Sequence, residues 1–60
     1  MGLEINKTYK FRLSVNGQDL VYTGTITDID NNFITFTDKF DAILTYNIST
    51  IVSYEEVEKW

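Results

Sequence analysis

Residues 24–36 read Gly-Thr-Ile-Thr-Asp-Ile-Asp-Asn-Asn-Phe-Ile-Thr-Phe, and no other stretch limits the fold so tightly. Apolar and polar residues alternate on both sides of Asp30-Asn31-Asn32, and the apolar ones are β-branched or aromatic, as in half-buried strands. The Asp-Asn-Asn triplet is a turn, because these side chains hydrogen-bond their own backbone and accept left-handed geometry. Upstream, Leu20, Tyr22, Gly24 and Ile26 share a face, but the next apolar residue is Ile29, three positions on instead of two. That slip of one residue predicts a bulge or sharp bend, and Gly24 in mid-strand predicts the same. The expected second strand, Leu20 to Ile29, is therefore long and strongly bent, and serves both halves of a small barrel.

The rest of the chain follows the same period. Tyr9, Phe11, Leu13 and Val15 fall on one face of a first strand and Lys10, Arg12, Ser14 and Asn16 on the other. Asn16-Gly17 is a strong hairpin signal, since both residues tolerate positive φ; the turn is open to extension through Gln18 and Asp19. Phe33 to Thr37 forms a third strand, with Ile34 and Phe36 on one face. Asp38-Lys39-Phe40-Asp41 forms the next turn, with Phe40 as the exposed aromatic. Ala42 to Tyr46 or Asn47 forms a fourth strand. Ile48 and Ile51, three apart, predict a 3₁₀ turn, and Ile51-Val52-Ser53-Tyr54 a short fifth strand, apolar on both faces. Leu3 and Ile5 are expected to cap a barrel end. The tail from Glu55 is expected to form a helical turn, with Val57 and Trp60 folded back.

Sixty residues form one domain, residues 1–60. A chain of this length buries only roughly 60% of the surface its unfolded form exposes, and such domains commonly rely on a staple or a partner. Cysteine and histidine are both absent, so no disulfide and no ordinary zinc site is available. Self-association is the remaining common device, beside a well-packed monomer. Met1 to Ile5 has no basic region followed by an apolar run, so no signal peptide is expected. No apolar stretch approaches a membrane span. A cytoplasmic protein without a membrane role is the expectation. The net charge of −4 opposes non-specific binding to nucleic acid, although Lys7, Lys10 and Arg12 concentrate three of five positive charges within six residues.

Five short strands, a bent second strand and a 3₁₀ turn before the last strand resemble an SH3-like small barrel, and within that group the Sm-like and Hfq-like proteins. The residues that carry the likeness are Asn16-Gly17, Gly24, Ile26, Asp30 six residues after Gly24, and Phe33 three later, which follow the spacing of the first Sm motif. Ile48-Ser49-Thr50-Ile51-Val52 resembles the segment that enters the last Hfq strand. The resemblance covers roughly residues 9–54. It implies ring assembly, with the fourth strand of one subunit pairing with the fifth of the next, and single-stranded RNA as ligand. The base-holding residues of the family do not recur: its stacking position falls on Asn32, its pocket asparagine on Ile34, and its basic pair on Tyr46-Asn47.

The fold class expected is thus an all-β, five-stranded SH3-like barrel of Sm-like type, non-enzymatic, with no cofactor, metal or small-molecule substrate. Asp28-Ile29-Asp30-Asn31-Asn32 imitates the start of a calcium loop, but Phe33 stands where that loop needs glycine and Lys39 where it needs glutamate. Asp30 is instead expected to cap its turn. Asp28 with Asp30, or Asp38 with Asp41, are the carboxylate pairs open to acid–base work; solvated turns are the favoured reading. No phosphate loop or nucleophile elbow is present. Two binding readings remain. As the resemblance implies, Asp30, Asn31, Asn32 and Asn47, with Lys10 and Arg12, contact RNA in a homo-oligomeric ring. Alternatively, Phe40, Ile51, Val52 and Tyr54 form a protein-interaction surface without nucleic acid.

Overall fold

The computed structural model of the chain describes residues 2–58. Its five strands are β1 (Thr8–Val15), β2 (Gln18–Ile29), β3 (Phe33–Asp38), β4 (Ile43–Asn47) and β5 (Ile51–Glu56), with one 3₁₀ turn (Ile48–Thr50) between β4 and β5. They form a single antiparallel sheet in the order β4-β3-β2-β1-β5. The expected all-β chain of five strands is therefore present, and β4 and β5 are the two edges of its sheet.

The β1–β2 hairpin turns on two residues. Asn16 and Gly17 have φ of 52° and 81°, and Val15 pairs directly with Gln18. Positive φ at both central residues matches the twist of the flanking strands, so the turn is tighter than one running to Asp19, and β2 starts at Gln18. In the β2–β3 ladder the register shifts between Ile26 and Asp28, which leaves Thr27 as the extra residue of a bulge. This is the phase slip seen in the sequence, and it returns both Ile26 and Ile29 to the core side. The lead-in uses the same point: Asn6 N–H donates to Ile26 O at 2.8 Å, and Ile26 N–H donates to Lys7 O at 3.0 Å.

Leu3, Tyr9, Phe11, Leu13, Ile26, Ile34 and Phe36 form the buried core, with Leu20, Tyr22, Ile29, Leu44, Tyr46, Ile48 and Ile51 packed around it. The rings of Phe11 and Phe36 lie 4.9 Å apart, and Tyr22 and Tyr46 flank Phe36. Gly24 belongs to this packing: a Cβ there would stand 2.5 Å from Cδ2 of Phe36. The expected bend is thus accompanied by a close approach that only glycine permits.

Two expectations are corrected, and a third gains its physical cause. Ile5 does not join Leu3 in the core but is 48% exposed, because the chain turns at Ile5-Asn6, with Asn6 at φ 72°. Glu55 and Glu56 belong to β5, not to a helical turn, because they pair with Lys10 and Tyr9, and Val57 N–H prolongs that ladder to Thr8 O at 3.0 Å. The apolarity of β5 on both faces reflects a bulge. Its register against β1 shifts between Arg12 and Leu13, so that Val52 is the extra residue and projects outward, 60% exposed, while Ile51 packs on the core. The expected position of Trp60 lies outside the described residues.

Candidate functional site

Two of the expected site clusters meet at one end of the sheet. The turn Asp30-Asn31-Asn32 joins β2 to β3, and Asn47 closes β4. Ile48 N–H donates to Asn32 O at 2.8 Å, and Phe33 and Asn47 are cross-strand partners, so Asn32 and Asn47 are neighbours across the β3–β4 ladder. Their polar atoms have structural work. Asp30 Oδ1 accepts the N–H groups of Asn32 and Phe33, both at 2.8 Å. Asn47 Oδ1 accepts Ser49 N–H at 2.8 Å and so caps the 3₁₀ turn. Asp30 is therefore the turn cap expected from its sequence position, each such bond contributing about 1 kcal/mol.

Lys10 and Arg12 lie elsewhere. They project from the outer face of β1, where Arg12 pairs with Val21 near the start of β2, whereas the Asp30 turn follows the end of β2. The RNA set of the sequence reading is therefore split between two places. Around Lys10 and Arg12 the face is slightly hollow, about 350 Å³, with Phe11, Val21, Ser53, Tyr54 and Glu55 completing the lining. Neither cation makes an ion pair with a described residue. Lys7 does, with Glu56 at 3.3 Å and Glu4 at 3.9 Å. The Glu56 hydrogen bond, then the charges of Glu56 and Glu4, raise the Lys7 pKa above its ordinary value.

The alternative surface is also divided. Phe40 is 79% exposed at the tip of the β3–β4 turn, with Lys39 Nζ 5.4 Å from its ring centroid. Asp38 Oδ1 holds that turn by accepting Phe40 N–H at 2.8 Å and Ala42 N–H at 3.0 Å. Phe40 shares a second, smaller hollow with Val21 and Thr23. Ile51 is half-buried and packs against the core. Tyr54 stands edge-on to Tyr9 at 5.8 Å, and its hydroxyl accepts Gly2 N–H at 3.1 Å. Only Val52 and part of Tyr54 remain on the β5 edge, well separated in the sheet order from β4.

Besides Ile5, three large exposed apolar residues among those described were not among the expected site residues: Phe33, Ile43 and Val21, the last 55% exposed on β2. Phe33 is 43% exposed beside Asn47, and Ile43 is 73% exposed on β4. The alternation already put Phe33 opposite Ile34 and Phe36, which was the available signal. Ile43 had none, because a short apolar run does not show which of its faces is covered.

At the β4 edge the Tyr22 and Tyr46 hydroxyls lie 3.2 Å apart. That hydrogen bond, and then burial, raise the Tyr46 pKa above the usual phenol value. Among the described residues no helix is long and apolar enough to cross a membrane, and no three acidic, histidine or cysteine side chains converge as metal ligands. Comparison with protein-family models, curated proteins and solved structures finds no match for this chain.

Proposed function

We propose that this chain is a non-catalytic assembly module, a five-stranded antiparallel sheet that associates with further copies of itself through an edge of that sheet. The observation that carries the reading is the state of the two edges. β4 and β5 each end the sheet, and the β4 edge presents a large apolar side chain to solvent, Ile43 at 73% exposure. A free strand edge is a template for another strand, and a domain of this size gains from a partner. The absence of cysteine suits a cytoplasmic setting. The test is molar mass in solution, by light scattering behind size exclusion over a concentration series. A mass above the 7.0 kDa of one chain is expected; a monomer throughout overturns the proposal.

A second reading, single-stranded RNA binding, is favoured by Phe33, whose exposed ring sits beside Asn32 and Asn47 and offers a stacking face. Asp28 and Asp30 at the same end repel phosphate, and the whole chain carries −4. RNA therefore ranks second. This reading requires salt-dependent binding of short RNAs that Phe33→Ala weakens, and it fails if no binding is detected at about 50 mM salt.

A further inference from the structure

The two sheet edges are not equivalent. β5 carries the devices that discourage pairing: the bulge at Val52, the carboxylates of Glu55 and Glu56, and the lead-in, whose Gly2 N–H donates to the Tyr54 hydroxyl. β4 carries none of them. Ile43-Leu44-Thr45-Tyr46-Asn47 holds no charge and no proline, and its register against β3 runs from Thr37↔Ile43 to Phe33↔Asn47 without a shift. It is also short of cover. Leu44 and Tyr46, on its inner face, are only half-buried, whereas Phe11, Leu13, Ile34 and Phe36 on inner strands are fully buried.

Resting on the assembly reading above, we infer that β4 is the assembling edge and that its partner is β4 of a second copy, the two strands pairing antiparallel about a two-fold axis. Side-chain parity and length select the register. Inner faces align only if residues of like parity face each other, and the whole strand is paired only if Thr45 faces Thr45 of the second copy. Leu44 then faces Tyr46, and Ile43 faces Asn47. The half-buried Leu44 and Tyr46 of both copies continue one core across the axis, and exposed Ile43 gains a neighbour. Charge points the same way. On a chain of net charge −4, β4 lets two copies meet without bringing carboxylates of the paired strands together.

The test compares Thr45→Lys on β4 with Val52→Lys on β5, both at exposed positions, each variant first confirmed as folded by its thermal melt. Wild type is expected at twice the mass of one chain. Thr45→Lys, which sets two cations opposite each other, is expected to return the protein to monomer, while Val52→Lys leaves the dimer intact. In a chain without cysteine, Thr45→Cys supplies one thiol per copy. Directly facing residues have Cα atoms about 4.5–5.5 Å apart, within disulfide range. Oxidation is expected to crosslink Thr45→Cys several-fold faster than Val52→Cys. A dimer indifferent to Thr45→Lys, dissociation by Val52→Lys, or a wild-type species larger than a dimer overturns the β4–β4 pairing and leaves assembly through other edges standing. A wild-type monomer overturns both.

Discussion

Replacing Gly24 with alanine puts a methyl carbon 2.5 Å from Cδ2 of Phe36, 3.3 Å from its Cε2 and 3.0 Å from the Thr37 carbonyl oxygen. Carbon atoms rest about 3.5–4.0 Å apart, so the ring or the strand must move by about 1 Å. The ring has nowhere to go. Phe36 is fully buried, 4.9 Å from the Phe11 ring centroid and 5.8 Å from that of Tyr22. Overpacking of this kind costs about 1–3 kcal/mol, while the loss of glycine's freedom in the unfolded chain returns about 0.4–1 kcal/mol. Gly24 has no positive φ, so backbone strain adds nothing and the clash decides the sign. A net loss of about 1–2 kcal/mol is expected, which lowers the melting temperature by roughly 4–16 °C in a domain this small. Urea denaturation at fixed protein concentration reads it as a lower midpoint with an unchanged slope. Phe36→Leu, which removes the clashing ring, should reduce the cost of Gly24→Ala in a double-mutant cycle. A midpoint equal to or above wild type for Gly24→Ala, or strict additivity with Phe36→Leu, refutes the close-approach argument.

Three further outcomes follow from the geometry. Asp30→Ala removes an acceptor shared by two backbone N–H groups and should cost about 1–2 kcal/mol in urea melts, whereas Asp30→Asn, which keeps the oxygen, should stay within about 0.5 kcal/mol of wild type. Phe40→Ala should leave the melting temperature nearly unchanged, because a side chain 79% exposed has little burial to lose; a large drop would show that Phe40 packs in the protein's working state. Stability should fall as pH rises above about 10. Folding raises the pKa values of Tyr46 and Lys7 above 10.0 and 10.5 respectively, so each contribution is complete below those values and is lost as pH climbs through the folded pKa. Tyr46→Phe should remove part of that alkaline loss, as followed by tyrosinate absorbance and circular dichroism together.

Local pattern was enough to read the strands of this chain. Alternation located β1, β2 and β3, short apolar runs located β4 and β5, Asn16-Gly17 announced a hairpin, and the spacing from Ile26 to Ile29 announced a bulge or bend, which falls at Thr27. These features are local because strand faces repeat every two residues and turn chemistry spans two to four. The 3₁₀ turn at Ile48–Thr50 was legible for the same reason. Tertiary structure decided the rest. Glu55 and Glu56 read as the start of a helical turn until their pairing with Lys10 and Tyr9 made them strand, a contact across more than forty residues that no local window contains. Val52 and Ile51 look alike in sequence, yet a bulge against β1 sends Val52 outward and leaves Ile51 half-buried against the core. The dispersal of Lys10 and Arg12 away from Asn32 and Asn47, and the meeting of Phe33 with Asn47, depend on which strands are neighbours. Sequence periodicity determines which side of β1, β2 and β3 is apolar. Only the order of the strands in the sheet determines which of those strands is left at an edge, and therefore where a partner has room to bind.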